Sequence, residues 1–380
     1  MKPRTLLIIV IVALLGVLAA SWMVRRSRAR APAASADVLC PGVAAHGDQL
    51  ARIVVRKNKI DTTIEKRGDA WVVASKGGFP AEREKIVTLV RAIAEATLAE
   101  AKTAKPDLYP RLQVEDPDAE GAASALLRLE DGQGKPLAAL IVGKRDSAGG
   151  GPDESPRVFV RRVGEAQSYL ANGDIRAEHN AIEWMNRNVG ELKNERVRDV
   201  SVLASGHAPL RIHRATPDAQ TFVLDGIPEG RSLRDEYVLT RLAWVLSFMT
   251  FDDVAPAADI ETKVEGAGVT EFRCFDGLMI TVRQVQKNAK TWCSLAASFD
   301  PPPPPPAKEG ETPSPPVTEP GEELKKEIDT LNATWTPWVY QIPEFKATVL
   351  RSNMEELLKP VEPPKPPSGE TPAPPTAPGG

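Results

Sequence analysis

Hydrophobic positions follow the same order twice along the chain: short segments with strand-like alternation, a Gly-x-Pro turn, and a segment with helical spacing. Three strand-like segments precede each turn, at 53–56, 62–66 and 70–74 in the first stretch and at 200–203, 210–214 and 221–224 in the second. The turns, Gly78-Phe79-Pro80 and Gly226-Ile227-Pro228, lie 148 residues apart. Proline suits this place because it pre-sets φ for a turn and is tolerated where a helix starts.

A helix is predicted after each turn, over 82–96 and over 233–249. Four apolar residues in each helix follow the i, i+4, i+7, i+8 spacing of one buried face. They are Ile86, Val90, Ile93 and Ala94 in the first helix, and Val238, Leu242, Val245 and Leu246 in the second. A further helical segment at 181–197 is expected to connect the two stretches and to place Trp184 in the core.

Strand-like segments also follow each predicted helix, separated by turns such as Asp131-Gly132 and Asp276-Gly277. These segments are 125–130, 136–142 and 158–161 in the first stretch, and 272–275, 278–285 and 291–296 in the second. The pattern predicts an α+β fold of two tandem repeated modules, 46–198 and 199–350, each a largely antiparallel sheet with one covering helix. Chance similarity between generic strand and helix patterns is the alternative to duplication.

One long apolar stretch precedes the modules. Residues Thr5–Val24 are uncharged over twenty positions, and a helix of that length spans the roughly 30 Å hydrocarbon core of a bilayer. Four arginines follow within 25–30, at the start of a predicted linker over 25–45. A cleaved signal peptide is the alternative, but its best small-x-small site, Ala34-Ser35-Ala36, lies well beyond the apolar core. We therefore predict a single, uncleaved transmembrane anchor at 5–24.

The charge of the chain argues against one class of function. The first thirty residues hold six basic and no acidic side chains, which leaves 42 basic against 51 acidic side chains in the remaining 350. A nucleic-acid-binding protein needs a basic face to displace counterions from phosphates, so this anionic domain is not expected to bind nucleic acid. The count of basic residues around the anchor favours a cytoplasmic domain.

Two segments are rich in proline and almost free of apolar residues, 301–323 and 360–380. Such composition buries too little surface to offset chain entropy, so we predict a disordered insertion at 301–323 and a C-terminal segment, 351–380, with a disordered tail. The alternative is that Pro301–Pro306 is a ligand for a proline-binding partner.

The cysteines are predicted to be buried, inert thiols. Cys40, Cys274 and Cys293 show no CxxC spacing of a zinc or redox site. Cys274 and Cys293 fall on the first and third strands of a predicted meander, which is too far apart for a disulfide if the middle strand separates them.

No catalytic, cofactor-binding or metal site is predicted, and the chain is not expected to be an enzyme. The histidines, which share no metal-binding spacing, are His46, His179, His207 and His213. Ser205 near His207 lacks a Gly-x-Ser-x-Gly frame. Gly149-Gly150-Gly151 lacks the lysine and hydroxyl of a phosphate loop. Asp252 and Asp253 are paired carboxylates of a kind more typical of a solvated turn.

The motifs together resemble the bacterial domain of unknown function 4340 family. The resemblance is carried by the anchor, by Trp71 before Gly78-Phe79-Pro80-Ala81, by Val158–Arg162 running into Gly164–Leu170, by Trp184-Met185-Asn186-Arg187, and by Trp338–Pro343. It implies an inner-membrane anchor with the domain outside the cytoplasm, and association with ABC-type transport or gliding-motility auxiliary components. It carries no catalytic residues.

We therefore expect a noncatalytic accessory or scaffolding protein of a bacterial envelope assembly, with an ABC-type transport system as the assembly that the resemblance suggests. Its partners would be the membrane, through one span, and envelope proteins, and its main domain would be periplasmic. The alternative is an envelope enzyme or small-ligand-binding protein with a site between the two modules, where Asp252 and Asp253 would lie at the mouth.

Overall fold

The computed structural model describes residues 37–146, 156–235, 237–303 and 317–360. The predicted anchor at 5–24, most of the predicted linker, the glycine run 149–151, most of the proline-rich insertion and the segment 361–380 lie outside these residues. Within the described ranges, no helix is both long enough and apolar enough to cross a membrane. The chain divides into two compact units, one up to Met185 and one from Asn186 onwards, here called unit 1 and unit 2.

The described residues of unit 1 form one antiparallel sheet and three α-helices. The strands are β1 (Leu50–Lys57), β2 (Ile60–Arg67), β3 (Ala70–Val73), β4 (Phe79–Pro80), β5 (Thr97–Ala101), β6 (Ala125–Asp131), β7 (Pro136–Arg145), β8 (Arg157–Arg162) and β9 (Ser168–Asn172). The helices are α1 (Pro41–His46), α2 (Arg83–Glu95) and α3 (Tyr109–Leu112). Along the sheet the strand order is β4-β3-β2-β1-β6-β7-β8-β9-β5.

The described residues of unit 2 form a second large antiparallel sheet, a two-stranded ladder and four α-helices. The strands are β10 (Asn188–Gly190), β11 (Val197–Leu203), β12 (Leu210–His213), β13 (Val223–Leu224), β14 (Met249–Thr250), β15 (Asp253–Pro256), β16 (Gly268–Cys274), β17 (Leu278–Lys287), β18 (Lys290–Phe299) and β19 (Trp338–Gln341). The helices are α4 (Val238–Ala243), α5 (Glu322–Trp335), α6 (Glu344–Leu350) and α7 (Met354–Leu357). The large sheet has the order β13-β12-β11-β16-β17-β18-β19-β15, and β10 pairs with β14.

Local sequence explains these elements well. In β1, Ile53 and Val55 alternate with more exposed residues and are fully buried, which is the pattern of a strand with one face on a core. In α2, Ile86, Leu89 and Ile93 are buried at helical spacing. The predicted α+β class with largely antiparallel sheets is confirmed.

Two hairpins close through the same kind of two-residue turn. Asn58 and Lys59 join β1 to β2 with φ of 52° and 61°, and Asn288 and Ala289 join β17 to β18 with φ of 54° and 58°. Positive φ at both central residues is typical of the type I′ turn, whose twist matches that of the flanking strands.

Both large sheets also carry a β-bulge at the start of a pairing between two interior strands, β1 with β6 in unit 1 and β11 with β16 in unit 2. In unit 1 the extra residue is Ala51, because Leu50 and Arg52 pair with consecutive residues of β6. In unit 2 the extra residue is Arg198, between residues of β11 that pair with consecutive residues of β16. A bulge bends its strand and increases the local twist.

Three charged side chains follow each bulge at matching register positions, with opposite signs in the two sheets. In unit 1, Glu130 lies opposite Arg52 and two residues after Arg128, at 3.7 Å and 3.1 Å from their guanidinium nitrogens. In unit 2, Arg273 lies opposite Asp199, at 3.4 Å, and forms an ion pair with Glu271 two residues before it. The pattern Arg-Glu-Arg in one sheet is therefore Asp-Arg-Glu in the other.

The predicted connector helix at 181–197 is wrong. Ala181–Trp184 forms a short 3-10 turn that the side chain of Asn180 caps, and β10 and a second 3-10 turn follow before β11. Trp184 is buried as predicted, and its indole Nε1 donates to the carbonyl of Glu178 at 2.9 Å. Since β10 pairs with β14, the compact units divide at Met185, earlier than the predicted module boundary at 198.

The second predicted helix is also shorter than 233–249, because tertiary hydrogen bonds hold both of its ends in other conformations. Leu233 pairs with Leu358 in an isolated bridge, so the helix α4 begins only at Val238. At the other end, the Ser247 hydroxyl donates to the carbonyl of Leu192 at 2.8 Å, and Met249 starts β14. The predicted linker over 25–45 is also partly helical, because α1 begins at Pro41.

Candidate functional site

The histidines do not converge on one place. His46, His179 and His207 are exposed at the end of α1, before a 3-10 turn and in the turn after β11, respectively. His213, on β12, has its Nδ1 2.9 Å from a carboxylate oxygen of Asp225. Among the described residues, no group of three or more His, Cys, Asp or Glu is placed to hold a metal ion.

The other polar groups considered above lie in two different segments of the chain. Ser205 shares the exposed turn of His207 between β11 and β12. Asp252 forms an ion pair with Arg187 at 3.1 Å, and the carboxylate of Asp253, at the start of β15, accepts the amide of Val254 at 2.8 Å. Each of these two acids therefore has a partner that does not take part in acid–base chemistry.

The three thiols are free and buried. Burial raises the pKa of Cys40 to about 11 and that of Cys274 to about 12. It raises the pKa of Cys293 further above its ordinary range. As predicted, Cys274 and Cys293 lie on β16 and β18 with β17 between them. Since thiolates are the reactive form, none of the three is poised as a nucleophile.

Unit 2 has a buried charge cluster, centred on Asp199. Its carboxylate lies 2.9 Å from Arg198 Nε, 3.4 Å from Arg273 Nη1 and 3.5 Å from Arg211 Nε. Arg273 also lies 3.1 Å from Asp300 through its Nε. Because the acid is closed to solvent and saturated by cations, the cluster is suited to holding the bulge of β11 rather than to proton transfer.

A small cavity in unit 2 lies under α5, where Leu331 and Trp335 face Leu278 and Leu295 of the sheet. Its volume of about 40 Å³ holds a few water molecules at most, whereas sites for cofactors or drug-sized ligands are typically about 300–1,000 Å³. The guanidinium of Arg196 at its edge makes two hydrogen bonds to Glu327, at 2.7 Å and 3.0 Å.

Unit 1 has an open cleft between α2 and the loop 174–184, with a volume of about 510 Å³. Its charged lining consists of four acids and two bases: Glu84, Asp174, Glu178, Glu183, Lys85 and Arg176. Arg176 pairs with Asp174 at 2.9 Å, and Lys85 pairs with Glu82, outside the lining, at 2.6 Å. The lining is therefore acidic on balance, and its two basic side chains are already held by neighbouring acids.

The feature that stands out is a group of solvent-exposed aromatic side chains on unit 2. Tyr237 is 71 % exposed, Trp244 45 %, Phe248 77 % and Phe345, on α6, 69 %. We call these four residues the aromatic face. Large apolar side chains that remain together at the surface of a soluble unit mark an interaction site more often than single exposed residues do.

Two basic residues border the aromatic face. Arg241 lies between Tyr237 and Trp244 in the chain, is exposed, and pairs with Asp235 at 2.9 Å. The ammonium of Lys346 donates to the carbonyl oxygens of Val245, at 3.4 Å, and of Phe248. Partial burial lowers the pKa of Lys346. Lys346 therefore ties α6 to the segment that carries Trp244 and Phe248.

Spacing could have revealed the aromatic face. The predicted inward residues, Val238, Leu242, Val245 and Leu246, are all buried. The opposite positions, Tyr237, Arg241, Trp244 and Phe248, recur at i, i+4, i+7 and i+11 and are all exposed. Aromatic residues on the helix face opposite the buried one are the signal in the sequence for a surface that binds a partner.

A family model described as Domain of unknown function (DUF4340) matches residues 71–264, a little over half of the chain. The chain belongs to the DUF4340 family. The matched region begins in β3 and ends after β15, so the DUF4340 match includes parts of both units and all of the aromatic face except Phe345. No curated protein and no solved structure matches the chain.

Proposed function

We propose that this DUF4340 protein is a noncatalytic accessory or scaffolding protein of a bacterial envelope assembly, and that the aromatic face is a surface through which it acts. The observation that carries the proposal is the exposure of four aromatic side chains on α6 and on the segment 237–248, which Lys346 joins to α6. Aromatic residues are enriched in the buried centres of protein interfaces, where they supply large contact area at low entropic cost.

The envelope location rests on the sequence. The uncharged span 5–24 is long enough for an uncleaved anchor, and membership of the DUF4340 family agrees with the resemblance from which a periplasmic domain and an ABC-type transport assembly were expected. Alkaline phosphatase joined after residue 380 should be active in cells. If the phosphatase fusion were inactive and a separate fusion of a cytoplasmic reporter after residue 380 were active, this orientation would be contradicted.

We also propose that the two units arose by duplication. The proposal is supported by the shared order of the strands, in which β3-β2-β1-β6-β7-β8-β9-β5 corresponds to β13-β12-β11-β16-β17-β18-β19-β15. The matching bulges, and the charged triads with inverted signs beyond them, add support. An experimental structure in which these corresponding strands cannot be superposed would overturn it.

Affinity capture from intact, crosslinked membranes tests the accessory role. The unchanged chain should recover protein partners, and the triple variant Trp244→Ser, Phe248→Ser, Phe345→Ser should lose them by at least about tenfold, since hot-spot aromatics contribute about 2 kcal/mol or more each. Ile60→Ser, which removes a 67 % exposed residue of unit 1, is the matched control and should capture normally. Equal capture by all three chains would contradict the role of the aromatic face. A specific small molecule that copurifies without any protein partner would instead favour the ligand-binding alternative.

A further inference from the structure

The last described residues pair with the segment that precedes α4, the helix next to the aromatic face. Leu358 pairs with Leu233 in an antiparallel bridge, the Lys359 amide donates to the Ser232 carbonyl at 2.9 Å, and Arg231 Nη2 donates to the Lys359 carbonyl at 2.9 Å. Ser232 precedes Tyr237 by five residues, a distance of at most about 18 Å. The described chain therefore ends against a segment that lies within about 18 Å of Tyr237.

That segment, 361–380, has the composition of a ligand for aromatic surfaces. It holds eight prolines in two groups, within 363–367 and 372–378, and Ser368-Gly369 separates the groups. Proline-rich segments favour the polyproline II helix, which has no internal hydrogen bonds and docks on aromatic-lined surfaces at little entropic cost. We propose that segment 361–380 of this chain docks in polyproline II form on the aromatic face of its own unit 2.

The repeat distances of the two surfaces match. The backbone is helical from Tyr237 to Trp244. The Arg241 amide donates to the Tyr237 carbonyl at 2.9 Å, and the Trp244 amide donates to the Thr240 carbonyl at 3.0 Å. Tyr237 and Trp244 are thus about 10.5 Å apart along it, at about 1.5 Å per residue. One polyproline II turn advances about 9.3 Å, which brings Pro363 and Pro366 into step with these two rings. Tyrosine and tryptophan also carry the donors that the free carbonyl groups of such a helix accept.

The length of the segment is sufficient. Twenty residues at about 3.1 Å each reach about 62 Å, whereas Tyr237 to Phe248 spans about 16 Å along a helix. The chain runs antiparallel to 231–233 at Leu358, so it must reverse direction before it docks. In the proposed arrangement this reversal falls at residues 361–362, before the first proline group.

Tethering makes weak contacts sufficient. A short flexible connection gives an effective concentration of the order of millimolar, so a contact with a dissociation constant of about 0.1 mM would be about 90 % occupied. A protein partner would then have to displace the segment from the aromatic face. The inference does not depend on the envelope role, because the docking takes place within one chain.

Photocrosslinking in the full-length chain tests the inference. The variant Arg241→p-benzoylphenylalanine leaves all four aromatic residues in place, and Val223→p-benzoylphenylalanine puts the same group on the exposed edge strand β13 as a control. After irradiation of a mixture of ¹⁵N-labelled and unlabelled chains, we expect position 241 to form an adduct with a peptide from 361–380 of the same isotope. Position 223 should not form it.

Two substitutions then test the chemistry. Alanine at the four prolines of 363–367 should lower the yield of the adduct at least about fivefold, because it removes the pre-organised helix. Trp244→Ala should do the same by removing the ring. An adduct that persists in the proline variant, or one formed mainly with lipid, with residues 304–316, with a chain of the other isotope or with another protein, would overturn the inference.

Discussion

The Asp199 cluster allows a prediction with a definite size. Asp199→Asn keeps the shape of the side chain but removes the acid that, among the described residues, is the only one to contact Arg198, Arg211 and Arg273 together. Breaking a buried ion pair by removing one partner typically costs about 3–5 kcal/mol, because the remaining charge stays buried without compensation.

Two features of the cluster reduce that cost. The Arg211 side chain is 54 % exposed, so water can take over part of its solvation. Arg273 keeps Asp300 at 3.1 Å, and Arg198 keeps the same acid at 3.8 Å. We therefore expect Asp199→Asn to lower the free energy of unfolding of unit 2 by about 2 kcal/mol.

Urea unfolding with pulsed hydrogen exchange measures this change in peptides of β11 and β16. For a denaturant slope of about 2 kcal/mol per molar, the midpoint should fall by about 1 M. Glu229→Gln, which removes an exposed acid from the same unit, is the control and should leave the midpoint unchanged. A shift for Asp199→Asn no larger than that of the control would show that the cluster contributes nothing to stability.

Three further predictions concern separate features. Gly143→Ala should destabilise unit 1 by about 1–3 kcal/mol, because the added Cβ would lie 2.3 Å from the Leu112 carbonyl oxygen. The control Gly132→Ala, whose Cβ would have its nearest neighbour at 3.9 Å, should have a small effect, and thermal unfolding compares the two variants. Cys40, with a pKa raised to about 11, should be about 0.1 % thiolate at pH 8, so iodoacetamide should label it slowly in the folded chain and quickly in urea; fast labelling of the folded chain would contradict its burial. Phe248→Ser with Phe345→Ser should change the stability of unit 2 by less than about 0.5 kcal/mol and raise the solubility of the chain, as midpoints and sedimentation would measure; a large loss of stability would mean that these rings belong to the core.

Sequence periodicity correctly predicted elements in which a regular repeat of apolar residues within the element forms the buried face. The helix α2 was placed to within one residue at each end because its apolar positions repeat regularly. The sequence pattern gave a wrong prediction where a partner distant in the chain decides the conformation. Leu233 pairs with Leu358, and residues 188–190 pair with β14. The same holds for the aromatic face. The spacing of Tyr237, Trp244 and Phe248 is visible in the sequence. Only the fold shows that α6, which carries Phe345 about a hundred residues later, is joined by Lys346 to the segment of Phe248.

The strand order also has a consequence for how the protein is made. In unit 1 the pairing of β1 with β6 joins Leu50 to Asp131, about 80 residues apart. The edge strand β5 pairs with β9, so that Leu98 meets Ala171, and on its other side an isolated bridge joins Thr97 to Val38. During synthesis the first hairpin can therefore close at once, while β5 has only the bridge to Val38 until β9 and most of the unit have emerged from the ribosome. Such high contact order is associated with folding in milliseconds to seconds, and a waiting strand edge is a site of aggregation. A nascent chain halted before residue 168 should thus be a better substrate for chaperones than one released after it.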